Sequence, residues 1–252
     1  MIIILIFIIL LLAGALVYFV MKSKNSKIAE ESFLSVVNHS FRTPLTRIKW
    51  MSDSLTEDMP RKEALDLAHN LSSSVNRLLE IIDTLSGVKD INSTASYDIK
   101  AVTLREIIEH SIEECRGPLV EKNIALTIPP LHNLPFLSID TRKVAFVVHA
   151  VLENAILYSK DKGSININAE LTKENLILKV EDGGIGLTPQ DKSNIFTCFY
   201  RNEVAKRLNT EGMGISLYMS KEIMRRHNGK IYFTSNGPDQ GSTFYISFPV
   251  VK

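Results

Sequence analysis

The chain has little cysteine, no surplus charge of either sign and no internal repeat. Cys115 and Cys198 are the only two cysteines in 252 residues, and neither sits in a CxxC pair or a Cys/His cluster. That argues against a disulfide scaffold and against a structural zinc site. Lys and Arg total 29 against 28 Asp and Glu, for a net charge of +1. So even a balance speaks against a broad basic surface for nucleic acid and against an acidic tail, and no nucleic-acid partner is expected. Hydrophobic residues make up 45% of the chain, enough for packed cores and too few for a polytopic membrane protein. The GxxxxGK[ST] spacing of a P-loop is missing too.

Charge is also absent locally. Residues 1–21 (MIIILIFIILLLAGALVYFVM) carry none, and the remaining 231 residues carry all of it. Twenty-one apolar residues span roughly 30 Å as a helix, the hydrocarbon thickness of a bilayer. A cleaved signal peptide would have a basic start and a shorter apolar core. The expectation is a retained single-pass transmembrane helix in contact with membrane lipid. Lys22, Lys24 and Lys27 follow it, which puts the rest of the chain in the cytoplasm. With almost nothing on the far side, any stimulus is expected to enter through this helix, its short linker or a partner protein.

From Ser26 to about Leu85 the pattern is two helices. Phe33, Val37, Phe41, Leu45 and Ile48 stripe the first, and Leu71, Val75, Leu78, Ile82 and Leu85 form a heptad seam on the second. The DMPR turn at 58–61 separates them. A lone hairpin buries such stripes poorly, so dimerisation into a four-helix bundle is expected. Polar residues 90–96 (DINSTAS) read as a linker. Beyond it, helices are expected over 104–120, 140–158 and 212–226, and strands over 124–128, 165–171, 176–180, 230–234 and 242–248. The fold class is α+β: helices on one face of a largely antiparallel sheet.

On the first helix, His39 points roughly opposite the apolar stripe. A solvent-facing imidazole is largely neutral at pH 7 and available as a nucleophile. Pro44, five residues on, removes a helical hydrogen bond beside it. Eight of the twelve glycines fall between Gly183 and Gly241, where they allow close backbone approach to phosphate.

The run His39-Ser40-Phe41-Arg42-Thr43-Pro44-Leu45 resembles the H-box of sensor histidine kinases, usually His-Glu-x-Arg-Thr-Pro-Leu. The C-terminal part is similar to their ATP-binding domain, an α/β sandwich of the Bergerat (GHKL) type shared with gyrase B. Leu152-Glu153-Asn154-Ala155 resembles the N-box, Asp182 with Gly184 and Gly186 the G1 box, and Phe196, Phe199 and Arg201 the F-box. Gly212 and Gly214 resemble the G2 box, and Gly241 to Phe244 the last strand turn.

The resemblance implies ranges and roles. A dimerisation and phosphotransfer domain would occupy 22–89, a linker 90–100 and the ATP-binding domain 101–252. His39 would accept phosphate from ATP and pass it to an aspartate on a response regulator receiver domain. Ser40 stands where the family has a proton-accepting acid, and Thr43 matches the residue that orients water in dephosphorylation. Asn154 would hold Mg²⁺, Tyr158 would lie near the adenine and Asp182 would accept the adenine amino group. Arg201 would approach the terminal phosphate, with Gly184, Gly186, Gly212, Gly214 and Thr243 lining the nucleotide. The segment from Leu187 to Glu211 would be the lid, in which Lys206 and Arg207 read equally well as a solvated face or as phosphate contacts.

Four positions depart from the family: Ser40, Ala150 for the first N-box Asn, Leu157 for a Lys, and Ser216 for the third G2 glycine. Ala150 also lacks the carboxylate that hydrolytic relatives use to activate water. The expected function is autophosphorylation and phosphotransfer by a membrane-anchored homodimer. The alternative is a weak or inactive kinase serving as a dimeric scaffold or as a response-regulator phosphatase.

Overall fold

The computed structural model describes residues 27–56, 59–91, 97–131, 134–209 and 212–250. The apolar segment 1–21 and the linker residues 92–96 lie outside the described residues, as does the His39 side chain. Among the described residues no helix is long and apolar enough to cross a membrane. The chain divides into two compact units, Met1–Ser93 with Glu211–Met213, and Thr94–Thr210 with Gly214–Lys252.

The first unit is a helical hairpin of α1 (Lys27–Asp53) and α2 (Arg61–Ile91). Helix α1 runs unbroken through Pro44. Its buried row is Val37, Phe41, Pro44 and Ile48, with Ser40 beside it, whereas Leu45 is only half-buried. The expected stripe had Leu45 in place of Pro44. On α2 the most deeply buried residues are Leu78, Ile81 and Leu85, with Ser74 one turn earlier. Leu71, Val75 and Ile82 of the expected seam are half-buried, and Leu65 and Leu79 are exposed. The single chain thus seals one apolar row of α2 and leaves a second row partly open.

The second unit begins with β1 (Ile99–Thr103), α3 (Leu104–Glu114), α4 (Arg116–Glu121), β2 (Ala125–Thr127) and β3 (Phe136–Asp140). Next come α5 (Thr141–Tyr158), β4 (Ser164–Leu171), β5 (Asn175–Asp182), α6 (Pro189–Asn194) and α7 (Glu203–Leu208). Last are α8 (Ser216–Arg226), β6 (Lys230–Thr234) and β7 (Ser242–Pro249). Strands β1 and β3 form a small antiparallel pair, and the main sheet has the order β2-β4-β5-β7-β6. All its pairings are antiparallel except β2 with β4.

One face of the sheet makes the core. Ile165, Ile167, Leu176, Leu178, Val180, Phe244, Ile246 and Phe248 alternate inward and are all buried. They are covered by a helical layer in which α5 packs against both α3 and α8. Helix α5 faces the sheet with Val144, Val147, Val148, Val151 and Ala155, the spacing of one helical face. Its start is fixed by Asp140, whose carboxylate accepts from the Lys143 N–H at 3.0 Å.

The expected helices and strands are present, with two refinements. The 104–120 helix breaks at Cys115 into α3 and α4, and α8 starts at Ser216 rather than at Gly212. Strands β1 and β3 and the short helices α6 and α7 were not anticipated.

Candidate nucleotide site and phosphoacceptor helix

The inward row of β5 reads Leu176, Leu178, Val180 and then Asp182, so the strand ends by turning a carboxylate toward the helical layer. Asp182 is only 8% exposed. Its Oδ1 accepts from the Gly184 N–H at 2.8 Å, and the Ser242 backbone N–H donates to the same carboxylate. Burial pushes its pKa up to about 6, against the pull of those two hydrogen bonds. The result is a buried, rigidly held acceptor that is mostly ionised at neutral pH.

The glycine turn after it is sterically required at Gly184. A Cβ there would collide with the Tyr158 carbonyl, which also accepts from the Ile185 N–H at 3.2 Å. The end of α5 and the glycine turn therefore rest directly on each other. That seat holds the Tyr158 end of α5 against the turn, with Asn154 one helical turn earlier. The Asn154 Nδ2 donates to the Ala150 carbonyl at 2.7 Å, which leaves its Oδ1 as the open ligand atom. Gly186 has φ +65°, a backbone shape that favours glycine.

The phenylalanine segment and the second glycine pair also meet. The Phe199 N–H donates to the Gly214 carbonyl at 2.9 Å. Gly214 has φ +69°, and a Cβ there would lie 2.6 Å from the Tyr200 carbonyl. Phe196 packs on Phe233 with ring centroids 5.9 Å apart. The segment is anchored by Asp191, which accepts from Thr188 in a capping box and from the Tyr200 hydroxyl at 2.8 Å. Burial works to raise the Asp191 pKa, but the hydrogen bonds from Thr188, Tyr200 and Asn202 outweigh it and hold it low.

Arg201 lies next to that anchor. Its guanidinium donates to the Ala205 carbonyl at 2.5 Å and to the Asn209 carbonyl, and it shares a hydrogen bond with Tyr158. Burial lowers the Arg201 pKa and raises that of Tyr158, and their mutual contact opposes both shifts. So the arginine meets Tyr158 as well as the lid backbone. Lys206 pairs with Glu203 at 2.7 Å on the exposed side of α7.

Two expected site residues are placed differently. Thr243 pairs with Glu181 and Thr234, whereas Asp182 pairs with Ser242. Side chains alternate along a strand, so Thr243 faces away from Asp182 and Ser242 occupies the acceptor's side. Gly212 falls outside the compact unit that holds the other nucleotide-site residues. Ser242 and Tyr200 carry no local signal and were missed; Asp191 was missed although Thr188-Pro189-Gln190-Asp191 has the spacing of a capping box.

In the hairpin, Ser40 is buried and Thr43 half-buried. Pro44, Arg47, His69, Ser73, Asn76 and Arg77 line part of a cavity of about 420 Å³ between the helices. Both cysteines are free, and burial pushes each thiol up to about 11, so neither is a thiolate nucleophile at neutral pH.

A buried strand-end carboxylate, a glycine turn seated on a helix end and a second glycine segment define a nucleotide-binding α+β domain. Residues 139–252 match the model of the Histidine kinase-, DNA gyrase B-, and HSP90-like ATPase family. Residues 29–93 match that of the His Kinase A (phospho-acceptor) domain. The chain is 30% identical over 241 residues to Drug sensory protein A of Synechocystis, covering 89% of this chain and 35% of that protein. It is 30% identical over 237 residues to the sensor protein VanS of Enterococcus faecium, covering 91% of this chain and 60% of that one. The chain thus spans only part of the length of these relatives. The histidine kinase ThkA, solved in complex with the response regulator protein TrrA, shares the fold with a TM-score of 0.66. That match is 18% identical and covers 87% of this chain and 61% of the other. The chain belongs to the two-component sensor histidine kinases.

Proposed function

We propose that this chain is a membrane-anchored, homodimeric sensor histidine kinase that phosphorylates His39 from ATP and passes the phosphoryl group to a response-regulator aspartate. The observation that carries the reading is the buried Asp182 carboxylate at the glycine turn, on the same chain as a helix bearing His39 in a phospho-acceptor match. Asp182 accepts the amino group of adenine, and its burial excludes water from that hydrogen bond. Tyr158 borders the base. A His39 ring nitrogen attacks the γ-phosphorus as the bond to the ADP oxygen breaks, and the ring proton leaves to solvent. In the second step the N–P bond breaks as a carboxylate oxygen of the partner's aspartate takes the phosphorus. Thr43 stands one helical turn from His39, where it could direct water against the phosphorylated partner.

Asn154 fits a Mg²⁺ ligand, because its Nδ2 is tied to Ala150 and its carbonyl oxygen is left open. Among the described residues no group of three His, Cys, Asp or Glu side chains could hold a metal. Mg²⁺ held at Asn154 would supply charge neutralisation for the transferring group.

The half-open row Leu71, Val75 and Ile82 favours a second copy as the cover for the hairpin. The polar cavity beside Arg47 and Arg77 suits a receiver domain. The uncharged residues 1–21 and the lysines after them favour a single-pass anchor with the catalytic region cytoplasmic.

Incubation with γ-labelled ATP is expected to give an acid-labile label on the wild type and none on His39→Gln. Label surviving in His39→Gln overturns the assignment. A second reading, a weak kinase acting as scaffold or phosphatase, draws on the Arg201 guanidinium being held by lid carbonyls. Nucleotide binding with no label on any residue would select it.

A further inference from the structure

We propose that Lys122 is a positioning residue for the nucleotide site, holding the end of α5 so that Tyr158 and the glycine turn keep their seat. The proposal rests on the kinase reading above. Lys122 follows α4 and lies 34 to 37 residues before the carbonyls it serves. Its ammonium donates to three carbonyls: Ile156 at 2.9 Å, Leu157 at 2.7 Å and Ser159 at 3.1 Å. An ammonium has three N–H bonds, so all of its donors are used.

The bookkeeping at this helix end is complete. A helix leaves its last four carbonyls without intrahelical partners. Ala155 O accepts from the Ser159 N–H, Ile156 O and Leu157 O from Lys122, and Tyr158 O from the Ile185 N–H of the glycine turn. One side of the helix end is thus tied to Lys122 and the other to the turn that carries Asp182 and Gly184. The ammonium also places a positive charge at a helix C-terminus, where the peptide dipoles favour it. Ile156 and Ser159 are 3% and 5% exposed, so water substitutes poorly as a donor.

The lysine is itself held in place. Its N–H donates to Pro118 O at 3.1 Å, and its carbonyl accepts from the Lys162 N–H at 2.8 Å. Removing the ammonium frees the turn of α5 that carries Tyr158 and loosens its seat on Gly184 and Ile185. The base-reading end of the pocket is therefore what depends on Lys122. The effect is expected on nucleotide affinity rather than on the labelling rate, because what Lys122 holds are the Ile156, Leu157 and Ser159 carbonyls at the base-reading end.

The test compares Lys122→Met, Lys122→Arg and the distant core variant Ile231→Ala in the full chain, using mant-ATP as the probe. Lys122→Met is expected to raise the Kd at least tenfold while the labelling rate at saturating ATP stays within twofold of wild type. Lys122→Arg is expected to recover part of the affinity, because a planar guanidinium reaches only some of three diverging carbonyls. Ile231→Ala is expected to lower Tm with no change in Kd. In the wild type, NMR is expected to show Nζ protons of Lys122 that persist against exchange at pH 7, which stands even if Lys122→Met does not fold. Unchanged affinity in Lys122→Met, or Nζ protons that exchange like those of a solvated lysine, overturns the proposal. So does an affinity loss that Ile231→Ala reproduces at equal Tm. A wild type that binds no mant-ATP overturns the kinase reading, and this proposal with it.

Discussion

The hairpin and the sheet unit satisfy their apolar residues differently. In the sheet unit, two layers meet within one chain, and the inward rows of β4, β5 and β7 are almost wholly sealed. In the hairpin, Leu78, Ile81 and Leu85 are sealed, while Trp50, Leu65 and Leu79 stay 72%, 62% and 50% exposed. Two helices have too little mutual surface to cover every apolar row. The sheet unit thus seals its core within one chain, whereas the hairpin leaves apolar side chains open among the described residues. The same contrast runs through the chemistry. On the proposed reading, the nucleotide site uses a buried, fixed acceptor, and the helix bearing His39 has to meet two successive partners.

The strongest way to break that contrast is Asp182→Asn. It is expected to lower mant-ATP affinity by about a hundredfold or more, because an amide nitrogen or a misdirected carbonyl would replace the charged acceptor; a charged hydrogen bond is worth about 1.5–3 kcal/mol before the cost of the unpaired partner is added. The fold should not suffer. Burial raises the Asp182 pKa from 3.8 to about 6, so ionisation at neutral pH opposes folding. Thermal melting at pH 7.5 is expected to show an unchanged or higher Tm for Asp182→Asn, and a large fall in Tm would refute the account of this carboxylate.

Next in size is Leu78→Ala in the hairpin. It opens a cavity at a residue 1% exposed and is expected to cost about 2–5 kcal/mol of hairpin stability. Nucleotide affinity is expected to stay unchanged, because Leu78 lies in the core of the hairpin itself. Denaturant unfolding followed separately by hairpin and sheet probes checks both parts.

The third test is pH. The acceptor must be ionised to bind adenine, and its folded pKa of about 6 lies above the ordinary 3.8. Nucleotide affinity is therefore expected to fall as pH drops from 7.5 through 6. Over the same interval Asp182 contributes increasing stability, because the folded state takes up a proton that the unfolded state does not yet bind. Its stabilising contribution is complete below 3.8 and is lost as pH rises through about 6. A Kd independent of pH between 5 and 7.5 would remove Asp182 from base recognition.

The smallest effect is expected from Lys206→Ala, which breaks the exposed pair with Glu203. Surface pairs contribute about 0–1 kcal/mol. A shift of more than threefold in Kd for ATP would reassign Lys206 to the phosphates.

Much of this was legible in the sequence because it depends on local order. Helix period, strand alternation and the glycine-rich turns are written within ten or so residues, so α1, α2, α5 and the long strands appear where expected. The short strands β1 and β3 did not, because five residues flanked by other signals carry too little pattern. Nor did the choice of Ile81 over Leu71, Val75 and Ile82 to complete the sealed row with Leu78 and Leu85, since both rows have helical spacing and only packing selects between them.

The residue types pointed to the chemistry through their resemblance to a known family: a carboxylate before glycines and an imidazole before a helical proline. The tertiary structure alone decided which neighbours complete the site. A one-residue step along β7 exchanges Ser242 for Thr243 at the acceptor, because alternate side chains point to opposite faces of a sheet. Lys122 reaches the end of α5 only because β2 lies beside β4 and brings the end of α4 alongside it. Contacts between residues far apart in the chain leave no periodic trace along it, and they exist only once the layers have packed.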